Sequence, residues 1–210
     1  MQFKMEGMIS EIKGGPKGRL IRRLAHGMLP LGIIYYWLPD PLYLDYFPKW
    51  LGALIVLLGI AIFESVRIMT GRILPGMRNY EVKGIGSYFY AVLGVILLLL
   101  FFHQYIAIPC ILAMAWVDPL AGELRLKKIP KSVCIILCGI LYFIIILISS
   151  VVFNGEWFME STIILSLSLA AITTPIALFV EAIYIRHLDD DFTMLFFPAL
   201  AVQIVFLIIM

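Results

Sequence analysis

Charged residues are scarce in this chain, since Asp, Glu, Lys and Arg make up only 14% of its 210 residues while 62% are hydrophobic. Together with a mean hydropathy of +1.01, that balance excludes an ordinary soluble domain. Cysteine is also rare. The three cysteines, Cys110, Cys134 and Cys138, lie inside apolar runs. Cys134 and Cys138 share a helical face, but no histidine or third cysteine is near them, which argues against a zinc site and favours packed thiols.

The familiar motifs of soluble enzymes are missing as well. The sequence contains no GxxxxGK[ST] phosphate loop, no GxSxG elbow, no HExxH pair and no protein-kinase signature set. Its three histidines are widely separated, which argues against a Ser-His-Asp arrangement. Nothing indicates that the chain reads nucleic-acid bases. Residues 1–23 are polar and basic, so we do not expect them to form a cleavable signal peptide.

Long apolar stretches dominate the chain instead, and a membrane-spanning helix needs about 20 such residues. We predict seven spans, near residues 24–39, 50–69, 85–102, 104–118, 132–153, 160–185 and 192–210. The first and fourth are short, so we expect them to tilt, break or end in irregular backbone. The predicted fold is an all-α polytopic membrane protein, with a basic cytoplasmic arm (1–23) and one transmembrane catalytic domain (24–210).

The positions of the basic residues predict the orientation of these spans. Of the 16 Lys and Arg residues, all except Lys49 fall in segments that a single inside–outside alternation assigns to one side. By the positive-inside rule that side is the cytoplasm. We therefore expect the N-terminus and residues 63–84, 119–131 and 186–191 to be cytoplasmic, and the C-terminus to be external.

Several ionisable residues lie at the predicted inner ends of the spans, where charge costs a few kcal/mol and therefore usually faces the protein interior. Glu64 and Arg67 are three residues apart and share a helix face, which suits either a structural ion pair or a site. Asp118 precedes Pro119, and because a residue before proline disfavours helical geometry we expect the span to break there and line a polar cavity. A simple helix cap is the alternative for Asp118.

Two further segments have the chemistry of ligand binding. Gly84 to Ser87 open a helix directly after a basic loop, so their N–H groups suit a phosphate, although glycines also permit close packing of spans. Glu181 is followed by a run of three aspartates at 189–191. Because hard divalent cations select carboxylate oxygen, this run predicts a metal site, with a solvated turn as the alternative.

Taken in order, these elements resemble the CTP-dependent lipid kinase family, which includes dolichol kinase, phytol kinase and the CTP-dependent diacylglycerol kinase and is related to the phosphatidate cytidylyltransferases. The resemblance covers most of the chain. It rests on Arg22-Arg23…His26, Glu64…Arg67, Glu81…Lys83-Gly84…Gly86-Ser87-Tyr88, Asp118-Pro-Leu-Ala-Gly122, Lys131-Ser132, and Glu181 followed by Asp190 and Pro198.

The resemblance implies an enzyme of a microbial plasma membrane that transfers the γ-phosphate of CTP to a polyprenol- or dolichol-type alcohol, with Mg²⁺ as cofactor and the active site on the cytoplasmic face. Its implied catalytic residues are Asp118, Glu123 and Glu64. Its implied nucleotide-binding residues are Arg78, Lys83, Gly84, Gly86, Ser87, Arg125, Lys128, Lys131 and Ser132. Asp118, Glu181 and Asp190 would bind the metal, and Arg23, His26 and Arg67 would lie at the lipid interface.

Three other functions fit the same sequence. A cytidylyltransferase would use CTP and Mg²⁺ to make a CDP-lipid. A small transporter would also need broken spans and intramembrane carboxylates, although the sequence shows no inverted repeat. A noncatalytic assembly subunit is the third, and it predicts that no single carboxylate substitution abolishes an activity.

Overall fold

The structure is a computed structural model that describes residues 13–42, 46–82, 84–153, 162–182 and 188–209. Within these ranges the regular structure is helical and contains no β-strand, which confirms the all-α prediction. The α-helices are α1 (Gly15–Met28), α2 (Lys49–Thr70), α3 (Ser87–Phe101), α4 (Gln104–Leu126), α5 (Lys131–Phe153), α6 (Thr162–Ala182) and α7 (Asp190–Ile209). Two 3₁₀ segments cover Leu29–Trp37 and Asn79–Val82.

Five of these helices are long and apolar enough to cross a membrane: α2, α4, α5, α6 and α7. Helix α3 is equally apolar but has only 15 residues. The sequence predicts α3 and α5 to within a few residues of their observed bounds. It places the end of α4 too early, because α4 runs for 23 residues rather than stopping at residue 118.

The expected break at Asp118–Pro119 is therefore wrong. Helix α4 continues through Pro119 to Leu126 without interruption. Proline costs one backbone hydrogen bond, but membrane helices tolerate it where neighbouring helices surround the freed carbonyl. The residues on either side are packed in this way, since Val117 and Ala121 are 0% and 1% exposed. Burial of this face outweighs the local preference against helix before proline.

The first predicted span, 24–39, has two parts. Helix α1 ends at Met28, and the N–H of Leu29 donates to the carbonyl of His26, which is a 3₁₀-type bond. Pro30 lacks the N–H that would continue the α-helix, so the chain winds on as a nine-residue 3₁₀ segment. Such a segment rises about 2.0 Å per residue instead of 1.5 Å, and therefore covers about 18 Å rather than 13.5 Å.

This two-part segment runs alongside α3 from one end to the other. At its start, Arg22 donates to the Ser87 hydroxyl at 2.9 Å. At its finish, the Tyr36 hydroxyl donates to the carbonyls of Leu98 and Phe102 at 3.3 and 2.9 Å. The 3₁₀ winding thus lets a short apolar stretch match the length of α3.

Helix α4 lies at the centre of the bundle and contributes the largest set of buried residues. Helices α5, α6 and α7 pack in sequence around it, and α7 also packs against α3. Helix α2 contacts mainly α3, and only 11% of its apolar stretch is buried. Its outer face exposes large side chains such as Leu58, Ile62 and Met69, as a lipid-facing helix does.

The contacts define two ends of the bundle. At one end, which we call the charged end, Arg22 meets Ser87, His26 meets Asp118, and Arg125 meets Glu181. The opposite end, the aromatic end, carries ring contacts. The rings of Trp37 and Phe153 are 5.9 Å apart and those of Tyr105 and Phe206 are 5.8 Å apart, as in an interfacial belt.

Candidate functional site

Three side chains from three helices meet at the charged end, and we call them the His–Asp cluster: His26 of α1, Asp118 of α4 and Asp191 of α7. His26 Nε2 lies 3.2 Å from Asp118 Oδ2 and 3.9 Å from Asp191 Oδ2. One potential ligand atom from each residue lies within 4.8 Å of the other two. The residues are distant in sequence, so the fold alone brings them together.

Arg22 connects the His–Asp cluster to the start of α3 and to Glu81. Its guanidinium donates to the hydroxyl of Ser87, the first residue of α3, at 2.9 Å. A second nitrogen lies 3.6 Å from Asp191 Oδ2, and the first lies 3.9 Å from Glu81 Oε1. Because these last two distances exceed a hydrogen bond, Arg22 attracts both carboxylates without satisfying either.

The acids of this site are buried with unmet hydrogen bonds. Asp191 is 1% exposed, and among the described residues neither of its carboxylate oxygens has a hydrogen-bond partner. Glu81 Oε1 and His26 Nδ1 are likewise buried without a partner in the described part of the chain. Removing such groups from water without compensation costs several kcal/mol, which bound cations or ligand donors would recover.

Burial also affects the protonation of the segment that precedes α7. It raises the pKa of the Asp189 carboxyl above its ordinary value. A hydrogen bond with Asp190 raises that pKa further, and the negative charge of Asp191 acts in the same direction. Asp189 therefore holds a proton more firmly than an exposed aspartate does, and its neighbour Asp190 accepts from it.

Carboxyl groups outnumber the arginines that act on them in this part of the molecule. The arginines are Arg22, Arg78 and Arg125. The carboxyl groups are Glu81, Asp118, Glu181, Asp189, Asp190 and Asp191. The described residues at this site therefore offer six carboxyl groups against three arginines, and a bound cation would compensate for that difference.

Close packing of α1 against the loop after α2 positions Arg22 and His26. They follow Gly18 at four-residue intervals, on the same buried face of α1. A Cβ on Gly18 would lie 2.1 Å from the Lys13 carbonyl oxygen, and Gly76 (φ 93°) approaches from the other side. Only glycine permits this approach, so Gly18 and Gly76 determine how far His26 lies from the other residues of the cluster.

Asp191 reaches the cluster because of its position on α7. It lies three and four residues before Met194 and Leu195, and all three are buried on one face of the helix. From the run of three aspartates we had predicted Asp190 as the metal ligand. Val202, Leu195 and Asp191 are spaced seven and four residues apart and therefore share the buried face of α7. This helical spacing in the sequence would have selected Asp191 as the ligand.

Glu64 and Arg67 form a separate buried group, the Glu64–Arg67 pair. Two arginine nitrogens donate to the carboxylate at 2.7 and 2.8 Å, and the Gly86 N–H donates to it at 2.6 Å. The Tyr88 hydroxyl donates to it too. Arg67 further donates to the Gly84 carbonyl at 2.5 Å. In the predicted phosphate-binding turn, the Gly86 N–H therefore donates to a carboxylate of the protein and is not free for a phosphate.

Of the remaining predicted site residues, some lie near the His–Asp cluster and others lie at the surface. Arg125 pairs with Glu181, and Arg78 acts on the same acids as Arg22. Glu123 instead pairs with Arg23 outside the cluster, beside a shallow cleft of about 350 Å³ that Arg19 also lines. Three residues are exposed, namely Lys128, Lys131 and Ser132, and Lys83 lies outside the described residues.

The structure thus brings Arg78, Ser87, Asp118, Arg125, Glu181, Asp190 and His26 to one end of the bundle. It also adds Arg22 and Glu81, which carry the resemblance but had no assigned role. Asp189 and Asp191 join them from the aspartate run, in which only Asp190 was named as a ligand. Comparisons with family models, with curated proteins and with solved structures found no significant match to the chain. Any statement about function therefore depends on the site itself.

Proposed function

We propose that the chain is an integral-membrane kinase that transfers the γ-phosphate of CTP to the hydroxyl of a polyprenol- or dolichol-type lipid, with Mg²⁺ as cofactor. In this proposal the first, two-part segment and α3 also cross the bilayer, the N-terminus is inside, and the charged end faces the cytoplasm. The observation that supports it is the convergence of buried carboxylates and arginines at that one end.

Phosphoryl transfer requires mainly positioning and neutralisation of charge, because the transferring group carries most of the developing charge on its own oxygens. Arg22, Arg78 and Arg125 surround the acids and would contact the triphosphate. Guanidinium groups suit this task because they bind phosphate oxygens in a bidentate manner and stay charged when buried. Ser87 holds one of them in place.

The carboxylates fit a hard divalent cation. Asp118 and Asp190 would hold Mg²⁺, which neutralises charge on the triphosphate when it is bound. Glu181, which we predicted as a third metal ligand, pairs with Arg125 and would orient that arginine towards the phosphates. Glu123 and Glu64 have partners of their own away from the His–Asp cluster, so we assign them no step in the transfer.

A lipid alcohol would reach this site from the side. Helix α2 is the least buried of the five long helices and contacts the bundle mainly through α3, which leaves its apolar surface facing the bilayer. The cluster lies at one end of the bundle, where lipid hydroxyl groups are found in a membrane. A transporter would place its charged site near the midplane, so this position favours the kinase.

The decisive experiment uses purified protein, a panel of lipid alcohols and of lipid phosphates, and CTP carrying the label on either the γ- or the α-phosphate. A kinase moves only γ-label into the lipid. A cytidylyltransferase, whose lipid substrate is a phosphate ester, moves α-label and releases the γ-phosphate within pyrophosphate. Matched variants are Asp118→Asn inside the cluster and Glu123→Gln outside it, and only the first should lower transfer. Absence of label transfer to every lipid would refute the proposal.

A further inference from the structure

We propose that His26, Asp118 and Asp191 form a site for a divalent transition-metal ion such as Mn²⁺, next to the Mg²⁺ that would accompany the nucleotide, with Asp118 contacting both ions. The proposal concerns metal binding by the protein alone, so it goes beyond the proposed kinase activity and does not depend on it. The three residues supply one imidazole nitrogen and two carboxylate oxygens from three different helices.

The spacing of the three side chains is close to that of a metal site. Ligand atoms bound to one ion at about 2.1 Å lie about 3.0–3.5 Å from one another. His26 Nε2 and Asp118 Oδ2 already have this spacing, at 3.2 Å. Asp191 Oδ2 is 3.9 Å from the same nitrogen, and the three ligand atoms lie within 4.8 Å of one another, so the cluster would contract when it binds an ion.

Asp191 provides an observation independent of this spacing. It is only 1% exposed, its two oxygens have no hydrogen-bond partner among the described residues, and it points into the cluster. The Arg22 guanidinium lies beside it, and at 3.6 Å it does not donate a hydrogen bond to Asp191. Both oxygens of this buried carboxyl group are therefore unsatisfied, and a metal ion between Asp191 and His26 would satisfy them.

The nitrogen ligand determines which ion is preferred. Mg²⁺ selects oxygen ligands and keeps much of its water, whereas imidazole favours first-row transition metals. Mn²⁺ accepts both donor types, and a set of one histidine and two aspartates leaves coordination positions open for a substrate oxygen or water. A site built for Mg²⁺ alone would gain nothing from a buried histidine at this position.

The competing explanation is that His26 is protonated and simply pairs with the two aspartates, with no metal. That arrangement would satisfy Asp118 through a hydrogen bond from Nε2, and it needs no ion. It predicts that the protein binds Mn²⁺ no better than Mg²⁺, and that removing His26 leaves Mn²⁺ affinity unchanged. The two explanations therefore differ in a measurable selectivity.

The test uses metal-stripped, detergent-purified protein titrated with Mn²⁺ and with Mg²⁺ without nucleotide or lipid. We expect one Mn²⁺ per chain, bound at least about tenfold more tightly than Mg²⁺. His26→Gln should remove that preference, and Asp191→Asn should weaken both ions. Glu123→Gln is the matched control, since it removes a carboxylate at the same end but outside the cluster, and should bind Mn²⁺ like the wild type.

Pulsed electron paramagnetic resonance of the bound Mn²⁺ reports the nitrogen ligand directly and does not depend on activity. Coupling to a nitrogen nucleus should be present in the wild type and in Glu123→Gln. A bound Mn²⁺ without nitrogen coupling, equal affinity for Mn²⁺ and Mg²⁺, or no stoichiometric Mn²⁺ binding would each overturn the proposal. If His26→Gln fails to fold, the wild-type nitrogen coupling still decides the question. If the wild type binds Mn²⁺ as expected but transfers no label from CTP to any lipid, only the proposed function is refuted.

Discussion

Two groups of buried charge lie at the same end of the bundle, and they differ in how fully their hydrogen bonds are made. Glu64 accepts four hydrogen bonds, from Arg67, Gly86 and Tyr88. Asp191 is as deeply buried and its carboxylate accepts none from the residues that the structure describes. Both carboxyl groups have an arginine nearby, so the presence of opposite charge does not distinguish them. They differ in distance: Arg67 donates to Glu64 at 2.7 and 2.8 Å, whereas Arg22 lies 3.6 Å from Asp191.

This contrast separates a structural role from a functional one. A fully hydrogen-bonded ion pair fixes the position of α2 against the turn before α3, and its carboxylate oxygens are already occupied. An unsatisfied cluster lowers the stability of the protein and persists where a ligand completes it. Exchanging the two acids for their amides should therefore produce opposite results.

The largest effect is expected from Asp191→Asn. The amide keeps the shape but weakens the metal site that shares Asp118 with the proposed Mg²⁺ site, so we expect label transfer from CTP to lipid to fall about 10- to 100-fold. The melting temperature should stay the same or rise, because the Asp191 carboxyl group has no hydrogen-bond partner among the described residues to lose. Transfer rates and thermal unfolding of the same preparation measure both. Normal turnover, or loss of activity together with the fold, would count against the assigned site.

Glu64→Gln should show the reverse. Removing one partner of a buried ion pair leaves the Arg67 guanidinium uncompensated and costs about 3 kcal/mol. We expect a clearly lower melting temperature, with activity per folded molecule largely retained. Ser65→Ala, one residue along on the exposed face of α2, is the control and should unfold like the wild type. An unchanged melting temperature in Glu64→Gln would show that the Glu64–Arg67 pair does not stabilise the fold.

A smaller effect is expected from Gly18→Ala, which should displace α1 from the loop after α2. The new Cβ would collide with the Lys13 carbonyl, and the resulting shift would move His26 away from Asp118. Gly27→Ala on the same helix meets no described atom within 4 Å of the new Cβ and should be neutral or slightly stabilising. Mn²⁺ affinity should fall in the first variant alone; equal affinities would show that α1 does not set the cluster's geometry.

The smallest effect is expected from Lys131→Ala and Lys128→Ala. We predicted these lysines as phosphate ligands, but both are exposed, and an exposed base near anionic headgroups contributes about 1 kcal/mol. Titration with CTP should show a change of less than about fivefold in either variant. Arg125→Gln, within the site, should weaken CTP binding more. A larger loss from Lys131→Ala would extend the site to the start of α5.

The sequence predicts the helical class and several helix bounds because long apolar runs leave few alternatives, as at α3 and α5. It also points to charged residues at the ends of the helices as site candidates, since charge is costly beside a bilayer. Asp118 was selected in this way, and the structure places it in the His–Asp cluster. Its expected break in α4 does not occur, because burial of the surrounding face is stronger than the local preference of Asp-Pro.

What the sequence does not predict is which acids meet. The choice of Asp190 over Asp191 depends on the rotation of α7 about its axis, and that rotation follows from packing against α3 and α4. The partners of Glu64 and Glu123 depend on distances between helices, which spacing along the chain does not contain. The 3₁₀ winding after Pro30 also required the structure, since a short apolar run looks the same in either helix type.

That 3₁₀ segment gives the protein a length that is adjustable in principle. Its far end is held to α3 through Tyr36, and its near end begins beside His26. Rewinding its nine residues as an α-helix would shorten it by about 4.5 Å. Because the far end is tethered, the shortening would appear at the near end as a pull on His26. If His26 binds the proposed ion, a change in bilayer thickness would act on that ligand through the 3₁₀ segment, and Mn²⁺ affinity should then differ between thin and thick membranes.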